Sequence, residues 1–252
     1  MTEAKTAAMA MTGAKDRLIV ALDVESVDEA RRSVGELNQF AGAFKIGLQL
    51  FTLAGPSFVR ELSDAGVKVF LDLKFHDIPN TVAKAGVGAA RLGVWMFNVH
   101  ASGGNEMMRT TVSEVSEFCD KQGISRPLMI GVTVLTSSAD DNLRQIGIES
   151  SAADQVMRLA RLAKEALLDG VVASPLESQR LRAELGTEFT IVTPGVRPLN
   201  ASNDDQKRVM TPSDAIRAGA DHLVIGRPIT GAVNPAAAAR EILQEISEVV
   251  NA

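Results

Sequence analysis

Residues 69–81 read VFLDLKFHDIPNT, a stretch that changes from apolar to charged residues after Leu71. Its first part is typical of a short buried β-strand, because it is a run of apolar residues. Side chains alternate along a strand, so Asp72 and Lys74 lie on the same face. The stretch therefore predicts a strand that presents charged side chains at its carboxyl end.

Seven other segments have a similar character, and amphipathic stretches lie between them. In total we predict eight strands, at residues 18–23, 43–47, 67–74, 96–100, 128–134, 170–173, 190–193 and 222–226. Helix-start signals follow several strands, at Ser26 with Glu29, Ser151 with Asp154, Thr211 before Pro212 and Asn234 before Pro235. Strands and helices that alternate in this way indicate a parallel sheet covered by helices. Eight such units predict a (β/α)₈ TIM barrel.

The helix predicted after the fifth strand is amphipathic. One face carries apolar residues at helical spacing, namely Val156, Leu159, Ala160, Ala163 and Leu167. Gly170 follows where the helix is expected to have stopped. We therefore predict that this face packs on the sheet.

The chain is 252 residues long, which matches the length of one such barrel. With 46% hydrophobic and 23% charged residues, its composition is that of a globular protein. No internal stretch rich in Pro, Gly or Ser divides it. We therefore predict one barrel domain over residues 16–252, preceded by a disordered tail over residues 1–15.

Charge, cysteine content and apolar run length exclude several classes of protein. A formal net charge of -5 argues against a broad nucleic-acid interface, which would need clustered Lys and Arg. The single cysteine, Cys119, allows no intramolecular disulfide and no Cys-based zinc site, which fits a reducing cytoplasm. The apolar runs are far shorter than the ~20 residues of a membrane-spanning helix. We expect a cytoplasmic protein that binds neither nucleic acid nor a membrane.

Polar residues and glycines gather where the predicted strands end, and a TIM barrel carries its functional side chains at that end. These residues are Asp23, Lys45, Asp72, Lys74, His100, Thr133, Thr136, Pro194, Arg197, Gly226 and Arg227. Gln206 lies in the long loop that follows the seventh strand. The last two loops of such barrels commonly hold phosphate, since glycine lets N–H groups approach closely and Arg adds a bidentate contact.

The charged cluster has two other interpretations. Its Asp and Lys residues could form a buried salt-bridge network without any chemistry. Asp72, His76 and Asp77 could instead hold a metal ion, although a Lys in the same cluster opposes a bound cation. The position of the cluster at the catalytic end of a barrel favours a functional role.

The remaining polar residues also have simple structural interpretations. Arg197 and Arg227 could close their loops by pairing with an acidic residue, for which the candidates are Asp204, Asp205 and Asp221. The histidines His76, His100 and His222 are most simply structural. Asp23 and Thr136, taken alone, are typical of capping residues.

The run Asp72-x-Lys74-x-x-Asp77-Ile78-Pro79-x-Thr81 resembles the signature of orotidine 5'-phosphate decarboxylases of the bacterial type. The resemblance covers most of the chain. It continues through ALD at residues 21–23, FKIG at 44–47, NVHASGG at 98–104, VTVLTS at 132–137, TPGVRP at 193–198 and VIGRPIT at 224–230.

The resemblance implies a role for each matching residue. It implies that Lys74 donates a proton to C6 of the pyrimidine, that Asp72 lies against the substrate carboxylate, and that Lys45 and Asp77 complete the charged array. The family takes Asp77, Ile78 and Thr81 from the second subunit of a homodimer. Other matches imply contacts of Thr136 with the pyrimidine, Asp23 with the ribose, and Gln206 and Arg227 with the phosphate. Pro194, Arg197 and Gly226 complete the predicted substrate-binding set, and neither a cofactor nor a metal is expected.

Two other functions remain open at this point. Magnesium-dependent phosphosugar barrels, such as 3-hexulose-6-phosphate synthase or keto-gulonate-phosphate decarboxylase, carry a similar Asp-x-Lys strand. A phosphate-binding barrel without activity is the second alternative, because fold does not fix function. The complete set of Lys45, Asp72, Lys74 and Asp77 argues against that second alternative.

Overall fold

The computed structural model describes residues 13–198 and 210–250. Eight parallel strands, β1 to β8 in chain order, form a closed barrel in which each strand pairs with its neighbours in sequence and β8 pairs with β1. Their bounds are Leu18–Ala21, Ala43–Gly47, Val69–Phe75, Met96–His100, Leu128–Val132, Gly170–Val172, Thr190–Pro194 and His222–Ile225. The predicted single (β/α)₈ barrel is confirmed, and no predicted strand end differs from the observed one by more than two residues.

Alternate residues of the strands face two separate apolar regions. Inside the barrel, Ile19, Phe70, Met96, Ile130 and Val192 belong to one buried cluster. The residues between them point outward and pack under the helices, as Leu71 does in β3. This two-sided burial explains why the strands are apolar almost throughout.

Besides the short helical segment at residues 13–17, ten helices of the described residues cover the barrel. In chain order α1 to α10 are Val27–Leu37, Leu48–Asp64, Pro79–Arg91, Gly104–Gln122, Asp140–Gln145, Ala152–Glu165, Ser178–Leu185, Pro212–Arg217, Arg227–Thr230 and Pro235–Val250. Short 3₁₀ turns lie at Ala101–Gly103 and Pro175–Glu177. None of the helices in the described part of the chain is long and apolar enough to cross a membrane.

The predicted helix starts are confirmed by hydrogen bonds from the backbone to the capping side chains. Ser26 Oγ accepts from the N–H of Glu29 at 3.2 Å, and Ser151 Oγ accepts from that of Asp154 at 3.1 Å. The side chains of Thr211 and Asn234 likewise accept backbone N–H groups at the starts of α8 and α10. Each capping bond satisfies a backbone donor that has no partner within its helix.

Two sequence expectations need correction. Leu167 is exposed and does not join the buried face of α6, because that helix ends at Glu165 and Leu167 turns into a left-handed conformation with φ 67°. Residues 13–17 are helical and Ala14 is buried in the core, so the predicted tail of residues 1–15 extends too far by three residues. Residues 1–12 of that tail lie outside the described residues.

Candidate active site

An ion-paired array of two lysines and two aspartates lies at the carboxyl ends of β1, β2 and β3. Asp72 is its centre: Lys74 Nζ lies 2.7 Å from Asp72 Oδ1, and Lys45 Nζ lies 3.4 Å from Asp72 Oδ2. Lys45 Nζ also lies 3.1 Å from Oδ1 of Asp23. Asp72 and Lys74 share a face as the alternation predicted. Because Asp72 is buried, its charge requires these close cations.

Strand β3 is irregular where it carries these side chains. The segment from Leu71 to Phe75 pairs with only Phe97 to Val99 of β4, so β3 contains extra residues in a bulge. Within the bulge Lys74 adopts a left-handed backbone with φ 51°. A conformation of this kind costs on the order of 1–3 kcal/mol for a residue other than glycine, and bulges beside active sites redirect side chains.

Asn98 on β4 joins the array, and the sequence reasoning assigned it no role. Its Nδ2 donates to Asp72 Oδ1 at 2.7 Å, and its Oδ1 accepts from the backbone N–H of Lys74 at 2.8 Å. The available signal was its register: Asn98 follows the inward-facing Met96 by two residues, so strand alternation places a polar amide inside the barrel.

A cavity of about 290 Å³ opens beside the array. Lys45, Asp72 and Lys74 line one part of it. Thr136, Pro194 and several apolar side chains line the remainder, namely Phe70, Val132, Val134, Val172 and Val224. A small flat molecule could therefore have its reacting atom at the charged wall and its body between apolar walls.

A second cavity of about 210 Å³ borders the first, since Lys45, Pro194 and Val224 line both. Its other lining residues include Asp23, Gly195, Arg197, Gly226 and Arg227. At Gly226 a Cβ atom would lie 3.3 Å from Asp23 Oδ2, so a larger residue would crowd this wall. Two arginines and two glycines thus meet where the loops after β7 and β8 come together, the place predicted for phosphate.

Asp77, Ile78 and Thr81 are exposed and line neither cavity, although they follow directly after β3. Oδ1 of Asp77 accepts the backbone N–H of Ile78 at 2.6 Å, and 67% of Ile78 is exposed. Gln206 was predicted to contact phosphate and lies outside the described residues. The described protomer therefore does not bring Asp77, Ile78 or Thr81 into its own cavities.

Asp221 can be excluded as a partner for the two arginines. It lies at the start of β8, at the opposite end of the barrel, where it pairs with Arg182 at 2.5 Å and accepts the N–H of Ile191. The other candidate partners, Asp204 and Asp205, lie outside the described residues.

The histidines of the cluster lie beside the array. The rings of His76 and His100 are 5.4 Å apart. Burial lowers the pKa of His100, and the nearby His76 and Lys74 lower it further. In residues 13–198 and 210–250, no three His, Cys, Asp or Glu side chains are grouped closely enough to hold a metal ion, so Asp72, His76 and Asp77 do not form the metal site considered above.

Comparisons with known proteins found a matching family, similar sequences and a similar solved structure. The model of the orotidine 5'-phosphate decarboxylase / HUMPS family matches residues 16–242. The orotidine 5'-phosphate decarboxylase of Geobacter sulfurreducens is 54% identical over 235 residues, which cover 92% of this chain and 97% of that protein. The enzyme of the same name from Pseudoalteromonas translucida is 52% identical over 230 residues, or 91% of this chain and 97% of that protein. The crystal structure of orotidine 5'-phosphate decarboxylase from Lactobacillus acidophilus superposes with a TM-score of 0.81 at 38% identity, over 91% of this chain and 98% of that one.

Proposed function

Because this chain belongs to the orotidine 5'-phosphate decarboxylase / HUMPS family, we propose that it decarboxylates orotidine 5'-phosphate to uridine 5'-phosphate and CO₂ in pyrimidine biosynthesis. The observation that carries this proposal is the Lys45–Asp72–Lys74 array beside a cavity with apolar walls. The names of the curated relatives support the same substrate. A cytoplasmic location follows as part of the proposal, since nucleotide synthesis takes place there.

The chemistry explains why a lysine is needed at the charged wall. Loss of CO₂ leaves an electron pair on C6 of the pyrimidine, and no adjacent carbonyl can delocalise that charge directly. We assign to Lys74 the proton that C6 receives. An ammonium already held in place stabilises the carbanion as the charge develops, without reorganisation at the moment of reaction.

Asp72 holds that ammonium by its 2.7 Å contact with Lys74 Nζ. In the proposed complex the substrate carboxylate lies near Asp72, so the two like charges repel each other before CO₂ leaves. Departure of CO₂ removes the repulsion. Asp72 thus has two proposed roles, namely orienting Lys74 and raising the energy of the bound substrate.

Binding of the rest of the nucleotide is assigned to the second cavity and its border. Arg227 and Gln206 are proposed to hold the phosphate, with Arg197 and Gly226 shaping that pocket. Asp23 is proposed to accept a ribose hydroxyl, while Thr136 and Pro194 contact the pyrimidine. Every step uses side chains of the protein, so the proposed reaction needs neither a cofactor nor a metal.

The active protein is proposed to be a homodimer in which each site receives Asp77, Ile78 and Thr81 from the partner. These residues are exposed and do not line the protomer's own cavities, which supports this arrangement. In a two-fold symmetric interface the same contribution occurs twice. Mixing Asp72→Ala and Asp77→Ala homodimers should then form heterodimers with one intact site, each with about half the wild-type activity. Continued inactivity after heterodimers have formed would place Asp77 in its own subunit's site.

The direct test of the function is to mix pure protein with orotidine 5'-phosphate and EDTA, and to follow the loss of the substrate's ultraviolet absorbance. Turnover in the presence of EDTA is expected. Absence of turnover under all conditions would refute the proposed function. Turnover that EDTA abolishes and magnesium restores would instead contradict the metal-free reaction proposed here.

A further inference from the structure

Asn98 is a buried amide whose two polar groups are both bonded to catalytic residues. Its exposed fraction is 1%, and it faces the barrel interior one layer above Met96. A buried amide needs partners for its donor and its acceptor. Both partners of Asn98 belong to Lys74 and Asp72, and a role in packing alone would not require that choice.

The first bond supplies a hydrogen-bond acceptor where the bulge in β3 interrupts the strand pairing. The ladder between β3 and β4 is interrupted between Leu71 and Phe75, so the N–H of Lys74 has lost the regular strand partner. Oδ1 of Asn98 accepts this N–H at 2.8 Å. The side chain of β4 thus replaces its backbone at the residue whose φ of 51° is unfavourable.

The second bond fixes the carboxylate. Asn98 Nδ2 and Lys74 Nζ both donate to Oδ1 of Asp72, each at 2.7 Å, while Oδ2 faces Lys45. Because the amide is neutral, it holds this oxygen without adding a charge to the array. One side chain therefore restrains the backbone of Lys74 and the acceptor that orients its ammonium.

We propose that Asn98 is a positioning residue for the proton transfer, acting through Lys74 and Asp72 without touching the substrate. This inference rests on the proposed function. A misplacement of about 1 Å in a catalytic group can lower a rate by on the order of 10²-fold. Replacement of Asn98 should therefore lower kcat much more than it weakens binding of the nucleotide.

Asn98→Ala is the first test. We expect kcat to fall by about 10- to 100-fold while KM stays within about threefold, because the residues proposed to bind the phosphate and the base are unchanged. Amide hydrogen exchange at Lys74, measured by NMR on deuterated protein, should become at least about tenfold faster, because its N–H loses its acceptor. The matched control is Thr111→Val in α4. It also removes a buried hydrogen bond, from Thr111 Oγ1 to the carbonyl of Met107 at 2.8 Å, away from the array, and should change neither quantity.

Asn98→Asp is the conservative variant with the same shape. When protonated, the new carboxyl group can donate to Asp72 and accept from Lys74 as the amide does. When ionised, it places a second negative charge against Asp72. Its kcat should therefore lie closer to wild type than that of Asn98→Ala at the acidic end of the pH range, and it should not improve relative to wild type as the pH rises.

Three results would overturn the inference: a kcat of Asn98→Ala within threefold of wild type, an equal loss in Thr111→Val, or a kcat of Asn98→Asp that is as low as that of Asn98→Ala at every pH. Failure of the proposed function has a different signature. In that case wild-type protein would not turn over orotidine 5'-phosphate, whereas exchange at Lys74 would still report whether Asn98 restrains its backbone.

Discussion

Removal of the Asp72 carboxylate is expected to destabilise the fold as well as to stop the reaction. This buried group lies close to three donors: Lys74 Nζ and Asn98 Nδ2, each at 2.7 Å, and Lys45 Nζ at 3.4 Å. In Asp72→Ala the two ammonium groups face each other without the charge between them. Lys45 keeps Asp23 at 3.1 Å, but Lys74 has no other acceptor among the ion pairs of the described residues.

The expected loss of stability follows from these contacts. Removal of one partner from a buried ion pair costs about 3–5 kcal/mol. The Lys74 side chain is 30% exposed and Lys45 retains one partner, so the lower end applies, about 3 kcal/mol. With an unfolding entropy of about 2.1 cal/mol/K per residue, a chain of 252 residues loses about 6 °C in Tm for this change.

The assay is thermal unfolding of wild type and variant at pH 7.5 and equal protein concentration. Asp28→Ala is the matched control. Like Asp72, Asp28 pairs with a cation, in this case Arg31 at 3.0 Å, but the side chain of Asp28 is 79% exposed. That control should lose less than about 1 kcal/mol. An Asp72→Ala protein with a Tm equal to or above that of wild type would refute the reasoning, since the cost of burying the array would then exceed the attraction within it.

Three further predictions concern catalysis and pH. Lys74→Ala should abolish turnover while circular dichroism shows an intact fold, and retention of most of kcat would contradict its role as proton donor. Arg227→Ala should raise KM and lower kcat together, because phosphate binding helps to organise the reacting centre, and a substrate without phosphate should lose less from the same change. Burial lowers the pKa of His100 and of His222 in the folded protein, so the unfolded chain takes up these protons first as the pH falls. The contribution of the two neutral histidines to stability should therefore be complete above about pH 6.5 and decline below it. Replacement of both histidines by Gln should flatten the decline in Tm between about pH 7 and pH 5. An unchanged decline in Tm would contradict this reasoning.

The strands were predictable because a barrel strand is buried on both faces. Its apolar run is short and ends where polar residues begin, so the sequence marks both the element and its functional end. Thus Asp72 and Lys74 were placed together by alternation alone. Helix ends were less predictable: Leu167 continues the apolar spacing of α6, yet the chain turns at that residue in a conformation that usually favours glycine.

The role proposed for Asn98 could not be predicted from local sequence patterns. Its bonds depend on a bulge in β3, which is a mismatch in length between two strands that are about 25 residues apart in the chain. The residues around Lys74 in the sequence do not predict a left-handed backbone at that position. The pairing of β3 with β4 had to be known before the amide could be assigned to Lys74 and Asp72.

The formal charges of the array bear on the proposed sharing of the site. Within one protomer Lys45 and Lys74 balance Asp23 and Asp72, so the fold does not need Asp77 to neutralise a buried charge. Asp77 from a partner would make the array negative before the substrate carboxylate enters, and departure of CO₂ would relieve that excess. Under the proposed function, Asp72 serves both the fold and the reaction, whereas Asp77 serves the reaction alone. In the same unfolding assay, the Tm of Asp77→Ala should stay close to that of wild type, whereas the Tm of Asp72→Ala should fall. Both variants should be inactive.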